Sequence, residues 1–196
     1  MKTRITKIVD DILNQGYCVY PNFLSHFTTK PLKEALVKKN MTPAGIGQYK
    51  DKNIEIRSDN IYWLCEQDIE PPIINFLKYI DDIKQQFNFE LMLGLQSFEA
   101  HFAQYPEGSF YKPHIDSTKK NNSRVLTFIT YLNDEWEKGD GGELRIHHNN
   151  SMIDVEPHMG TIVCFQSDII LHEVLKANKP RCAITGWLHN SSRKSY

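Results

Sequence analysis

The chain has 196 residues, with 23 Lys and Arg against 24 Asp and Glu, a formal net charge of −1 and 40% hydrophobic residues. That length suits one domain with a sizeable core, and the charge balance provides no global field toward nucleic acid or an anionic membrane. Cys18, Cys65, Cys164 and Cys182 make no CxxC pair, residues 1–11 are charged without an apolar core segment, and no apolar run approaches a membrane span, so a cytoplasmic protein with reduced thiols is expected, with no membrane or nucleic-acid partner.

Residues 4–15 place Ile5, Ile8, Val9, Ile12 and Leu13 at helical spacing, with Gly16 as C-cap. Residues 17–20 read as a short strand. Ser25 is positioned to cap a second helix, with Leu32, Ala35 and Leu36 on its apolar face, Pro31 near its start and Asn40 at its end. Periodicity then disappears from Thr42 to Asn53, which reads as a mobile loop, and Ile54 to Trp63 resumes as strand. Residues 71–87 carry Ile73, Phe76, Leu77, Ile80, Ile83 and Phe87 at helical spacing, with Pro71 or Pro72 in the first turn. From Leu93 onward short β-prone runs alternate with turns, at 98–105, 110–116, 124–132, 143–147, 152–155, 161–165 and 181–188, with a polar loop at 119–123. Such a series argues for an antiparallel sandwich or barrel.

Within that series stands Tyr111-Lys112-Pro113-His114-Ile115-Asp116. In an extended strand, side chains two residues apart point to one face, so His114 and Asp116 can aim at one point. Alone, the tripeptide also fits a solvated turn. A second His, at 172, is followed by Arg181. Two His and one carboxylate, with the opposite side open, make the ligand set of non-haem Fe(II) oxygenases. On the run 124–132, Val125, Thr127, Ile129 and Tyr131 share a face, where Thr127 and the Tyr131 hydroxyl need partners. On the last run Arg181, Ala183, Thr185 and Trp187 share a face. An inward Arg181 requires an anion and suits a carboxylate by two parallel hydrogen bonds; an outward one is a surface residue of an edge strand. Arg57 and Asp59 read as an exposed ion pair or as part of a peptide site. His26, His101, His147, His148, His158 and His189 are not expected to be metal ligands.

Taken together, these motifs resemble the Fe(II)- and 2-oxoglutarate-dependent dioxygenases, closest to the prolyl 4-hydroxylase branch that includes the hypoxia-inducible-factor prolyl hydroxylases. The motif is His114-x-Asp116, fifty-five residues, His172, eight residues, Arg181. Arg57-Ser58-Asp59 with Ile61 and Trp63 resembles the start of that branch's mobile substrate loop. Tyr105-Pro106, Tyr131-Leu132-Asn133 with Trp136, Gly141-Gly142-Glu143-Leu144-Arg145-Ile146, His172-Glu173-Val174 and Arg181-x-Ala183-Ile184-Thr185-x-Trp187 match in order. The 105–114 segment is one residue shorter than in the hypoxia-pathway enzymes, and segment 39–56 is where substrate-loop differences should concentrate.

The resemblance implies a mainly β fold with N-terminal helices, a double-stranded β-helix (jelly roll). Residues 1–92 would form an N-terminal elaboration with the substrate loop, 93–190 the oxygenase core and 191–196 a tail. It implies Fe(II) held by His114, Asp116 and His172, with 2-oxoglutarate and O2 as cosubstrates and ascorbate as reductant. The far carboxylate of 2-oxoglutarate would meet Arg181 and Tyr131, with Tyr105, Thr127, Thr185 and Trp187 lining the pocket. Arg57, Asp59 and Arg124 would lie near a peptide. The implied activity is hydroxylation of a prolyl residue in a protein, with a translation component as a candidate partner. Hydroxylation of a free amino acid or small metabolite is the alternative. A nucleic-acid demethylase of the same superfamily would carry Arg at position 187, which is Trp here. A binding module with a vestigial metal site is disfavoured by the intact ligand set.

Overall fold

A computed structural model of the chain describes residues 2–45, 53–65, 67–117 and 123–191. The N-terminal stripe forms α1 (Lys2–Gln15), which buries Ile5, Ile8, Val9 and Ile12. Leu13, expected on the same stripe, is exposed, because it sits at the edge of the arc those four residues define. Gly16 closes the helix with its amide on the Ile12 carbonyl and a φ of +79°, a conformation costly to any residue with a Cβ. The second helix, α2 (His26–Val37), encloses Pro31 and ends three residues before the expected Asn40. Helix α3 (Pro71–Leu91) begins on its two prolines and buries Ile73, Phe76, Ile80, Ile83 and Phe87. It runs a turn beyond Phe87, because the Asn88 side chain grips both the amide and the carbonyl of Leu95 at 2.7 Å and fixes the exit.

Among the described residues, eleven strands pair in two antiparallel sheets. The larger contains β1 (Tyr17–Tyr20), β2 (Thr42–Pro43), β3 (Asn60–Trp63), β4 (Ser97–Tyr105), β6 (Arg124–Tyr131), β9 (Ile162–Gln166) and β11 (Arg181–His189), in the order β1-β9-β6-β11-β4-β3-β2. The smaller contains β5 (Tyr111–His114), β7 (Leu144–His148), β8 (Ser151–Val155) and β10 (Leu171–Val174), in the order β5-β10-β7-β8. This is the architecture expected for a double-stranded β-helix. Alternation along the central strands sorts side chains to two cores. Leu126, Phe128, Cys164, Ile184 and Phe102 face the helices; Ile129, Tyr131, Phe165, Ala183, Ala103 and Tyr105 face the smaller sheet.

Three local readings are corrected. The expected strand 54–63 shrinks to β3, since the Ile56 and Arg57 amides both turn back to the Asn53 carbonyl. The expected loop 42–53 opens with the short strand β2, which pairs with β3. Its residues 46–52, 119–122 of the polar loop and 192–196 of the tail lie outside the described residues. Strand β10 carries no strand-like signal in Leu-His-Glu-Val; it exists because β5 and β7 flank it on both edges.

Candidate active site

The small sheet brings the two distant histidines together. His114 on β5 and His172 on β10 are directly opposite in the antiparallel register. Asp116 lies just beyond β5, and its carboxylate approaches both rings: Oδ1 is 3.5 Å from His114 Nε2, and Oδ2 is 3.7 Å from His172 Nε2. One donor atom from each of the three residues lies within 4.8 Å of the others. Each ring is locked by its other nitrogen. His114 Nδ1 donates to the Lys112 carbonyl at 2.8 Å, and His172 Nδ1 to the Ile170 carbonyl at 3.0 Å. A carbonyl only accepts, so the proton sits on Nδ1 and the Nε2 lone pair is left for a metal. His114 also stacks on Tyr111, with ring centroids 3.6 Å apart, and His172 leans on Phe165.

Burial pushes His172 down to about 4, with Asp116 opposing. Burial alone would raise the Asp116 carboxyl, but the two histidines and the Thr127 hydroxyl more than offset it and hold it well below the usual carboxylate range. An uncharged His172 and an ionised Asp116 are the states that metal ligation requires. The donor set therefore fits an iron ion with one side left to cosubstrate and oxygen.

Arg181 starts β11 on the inner face and is 2% exposed. Its guanidinium carbon lies 4.8 Å from the Tyr105 ring centre and 5.0 Å from that of Tyr131. Arg181 Nε and the Tyr131 hydroxyl are buried with no hydrogen-bond partner among the described residues. Leaving such donors unmatched in a dry interior is strongly unfavourable. Burial raises both tyrosine pKa values, so the phenols stay protonated and able to donate. A small carboxylate bound there would satisfy both orphaned donors at once.

The remaining expected residues are placed as follows. Thr185 sits between Ile129 and His101 in the ladder, on the inner-facing register of β11. Thr127 is fully buried, and its hydroxyl meets Asp116 Oδ2 at 2.7 Å. Trp187 is covered by the Arg124 guanidinium, whose carbon is 3.6 Å from the ring centre. Arg124 is also held by Glu99 at 2.8 Å, so its charge is matched inside the protein. Arg57 and Asp59 form a paired double hydrogen bond at 2.6 and 2.7 Å, with the Asp59 side chain fully buried. Their reading as an exposed pair is overturned. Arg57 lies over Tyr111 at 4.4 Å, so a column runs from Asp59 through Arg57 and Tyr111 to His114.

Sequence reasoning missed several neighbours. His101 is buried between Trp63 and Trp187, with ring centres at 5.0 and 5.5 Å, and burial lowers it to about 4. A lone His on a β-prone run has no ligand spacing to mark it. Ser167 and Glu99 carried no signal. Tyr111 stood inside the quoted motif, and an aromatic three residues before a ligand was the available hint. His26, His147, His158 and His189 pair with carboxylates, and His148 with Asn149, away from the ligand cluster.

Residues 100–189 match the family model for the 2OG-Fe(II) oxygenase superfamily. A PKHD-type hydroxylase of Prochlorococcus marinus (strain MIT 9215) is 29% identical over 184 residues, covering 86% of this chain and 78% of the relative. The crystal structure of a Pseudomonas putida prolyl-4-hydroxylase superposes with a TM-score of 0.88 at 31% identity, covering 96% of this chain and 100% of that one. A prolyl hydroxylase from Trichoplax adhaerens, solved with a hypoxia-inducible-factor peptide fragment, shares the fold at a TM-score of 0.88 and 24% identity, over 98% of this chain and 94% of that one. A full-length relative above 30% identity, on top of three converging ligands and an orphaned inner arginine, settles the class: the chain belongs to the 2OG-Fe(II) oxygenase superfamily and is an Fe(II)- and 2-oxoglutarate-dependent hydroxylase.

Proposed function

We propose that the chain is a protein prolyl 4-hydroxylase. The observation that carries this reading is the likeness to the Pseudomonas putida prolyl-4-hydroxylase over 96% of this chain and 100% of that one. Bound iron and 2-oxoglutarate supply the oxidising step, in which O2 adds one oxygen to a C–H bond and the other to the cosubstrate as it becomes succinate and CO2. The protein's own part is to bind, orient and keep water out. Arg181 and Tyr131 receive the far carboxylate of 2-oxoglutarate. Tyr105, Thr185 and Trp187 wall that pocket. Arg57, Asp59 and Arg124 serve the peptide site indirectly. Their charges are matched by Asp59, by Arg57 and by Glu99, so they hold the surface the peptide meets and do not pair with it.

Among the described residues no helix is long and apolar enough to cross a membrane. A cytoplasmic protein substrate, with translation components as the first class to screen, is consistent with that. The test is incubation of the enzyme with Fe(II), 2-oxoglutarate and proline-containing peptides or extracts, with mass spectrometry mapping the gain of one oxygen atom. Oxygen gained at proline with matching succinate supports the reading. Turnover of a free amino acid or metabolite in preference to any peptide overturns it in favour of small-molecule hydroxylation.

A further inference from the structure

Asp116 lies past the end of β5 and has no ladder partner to fix its side chain. Thr127, on β6 of the other sheet, reaches across and donates its hydroxyl to Asp116 Oδ2 at 2.7 Å. The Thr127 oxygen is in turn 2.9 Å from Ser167 Oγ, in the turn that follows β9. Both hydroxyl residues are fully buried. Counting protons fixes the direction of this chain. A metal-binding carboxylate only accepts, so the single Thr127 proton goes to Asp116. The proton between the two hydroxyls must then come from Ser167.

Ser167 is itself anchored by its backbone. Its amide donates to the Val125 carbonyl at 3.0 Å, and its carbonyl accepts the Ser117 amide at 2.9 Å. The same residue is therefore tied to β6, which carries Thr127, and to the position after Asp116. Both ends of the hydroxyl pair are held to one frame.

We propose that Ser167 and Thr127 form a two-hydroxyl relay that positions the Asp116 carboxylate for the metal. On this account Thr127 is a positioning residue of the metal centre, not a wall of the cosubstrate pocket, and Ser167 acts only through Thr127. The proposal rests on the metal centre and is independent of the prolyl substrate. Groups that orient metal ligands in this way typically carry about 10- to 100-fold in metal affinity.

The experiment uses Mn(II) alone, titrated into the full chain stripped of metal, with free Mn(II) followed by electron paramagnetic resonance and no cosubstrate present. T127A should weaken Mn(II) binding by about 10- to 100-fold, while T127S, which keeps the hydroxyl, should stay near wild type. S167A should lose less than T127A, and the T127A/S167A double variant should bind no more weakly than T127A. If T127A does not fold, T127V preserves the side-chain shape and takes its place in the cycle. S167A binding at wild-type strength, or losses that multiply in the double variant, would overturn the relay. A wild-type chain that binds no Mn(II) would instead overturn the metal centre, a result distinct from equal binding by wild type and variants.

Discussion

Arg181 is the residue whose removal should speak most directly to the cosubstrate. Losing a buried, hydrogen-bonded charge contact costs at least about 2 kcal/mol, so R181A should raise the KM for 2-oxoglutarate by at least about 30-fold. R181K keeps the charge but not the two-pronged geometry and should fall between. Steady-state succinate production checks both; an unchanged KM with a reduced kcat would remove Arg181 from carboxylate binding. Arg57 makes a different case. A pair serving a peptide site alone would, when neutralised, affect peptide binding alone. Arg57 is packed against Tyr111, which stacks on His114, so R57A should also depress 2-oxoglutarate turnover measured without peptide. The ligand set was legible because its chemistry demands a fixed set of residue types at recognisable positions. The burial of Arg57 was not, since a charged pair two residues apart reads the same whether it faces water or a ring.

Among the elements, β11 is held along nearly its whole length, by β4 on one edge and β6 on the other. At Gly186 an added Cβ would fall 2.3 Å from the Phe98 ring and 2.8 Å from the Glu99 carbonyl oxygen. G186A should therefore destabilise the protein by roughly 1–3 kcal/mol, seen as a lower urea midpoint with an unchanged slope. A wild-type midpoint would show that Phe98 moves aside freely. Long elements were readable from period alone: α1, α3, β4, β6 and β11 came within a few residues of their expected bounds. Strand β10 escaped, since four residues with a His and a Glu give no alternation, and pairing on both edges creates it. The Gly141-Gly142 pair of the quoted motif acquires a reason: a Cβ on Gly141 would collide with the Lys176 carbonyl oxygen at 2.2 Å.

At the scale of the molecule, the two sheets and three helices depend on polar ties as well as on apolar burial. Glu99 is the clearest. Burial would raise its carboxyl, but His189, with Nε2 3.1 Å away, and the Arg124 guanidinium bring it down to about 2. A carboxyl lowered on folding stabilises fully above its unfolded value of 4.5, and the contribution drains away as pH falls toward 2. That linkage is on the order of 3 kcal/mol. Wild type should thus lose stability steeply across that acid range, and E99Q should show a flatter acid limb in thermal melts against pH; identical slopes would argue that Glu99 is not a linked group. The placing of His114 opposite His172 has a mechanical side too. Strand β5 ends its sheet, and its outer edge is met by the 56–58 stretch, through the Ser58 amide on the Phe110 carbonyl and the Lys112 amide on the Ile56 carbonyl. An ion clasped by both imidazoles works as a rivet across β5 and β10. Loading it should slow amide hydrogen exchange along 110–114 and, one strand-width further out, at Ser58, so that the 56–58 stretch stiffens when the centre is filled.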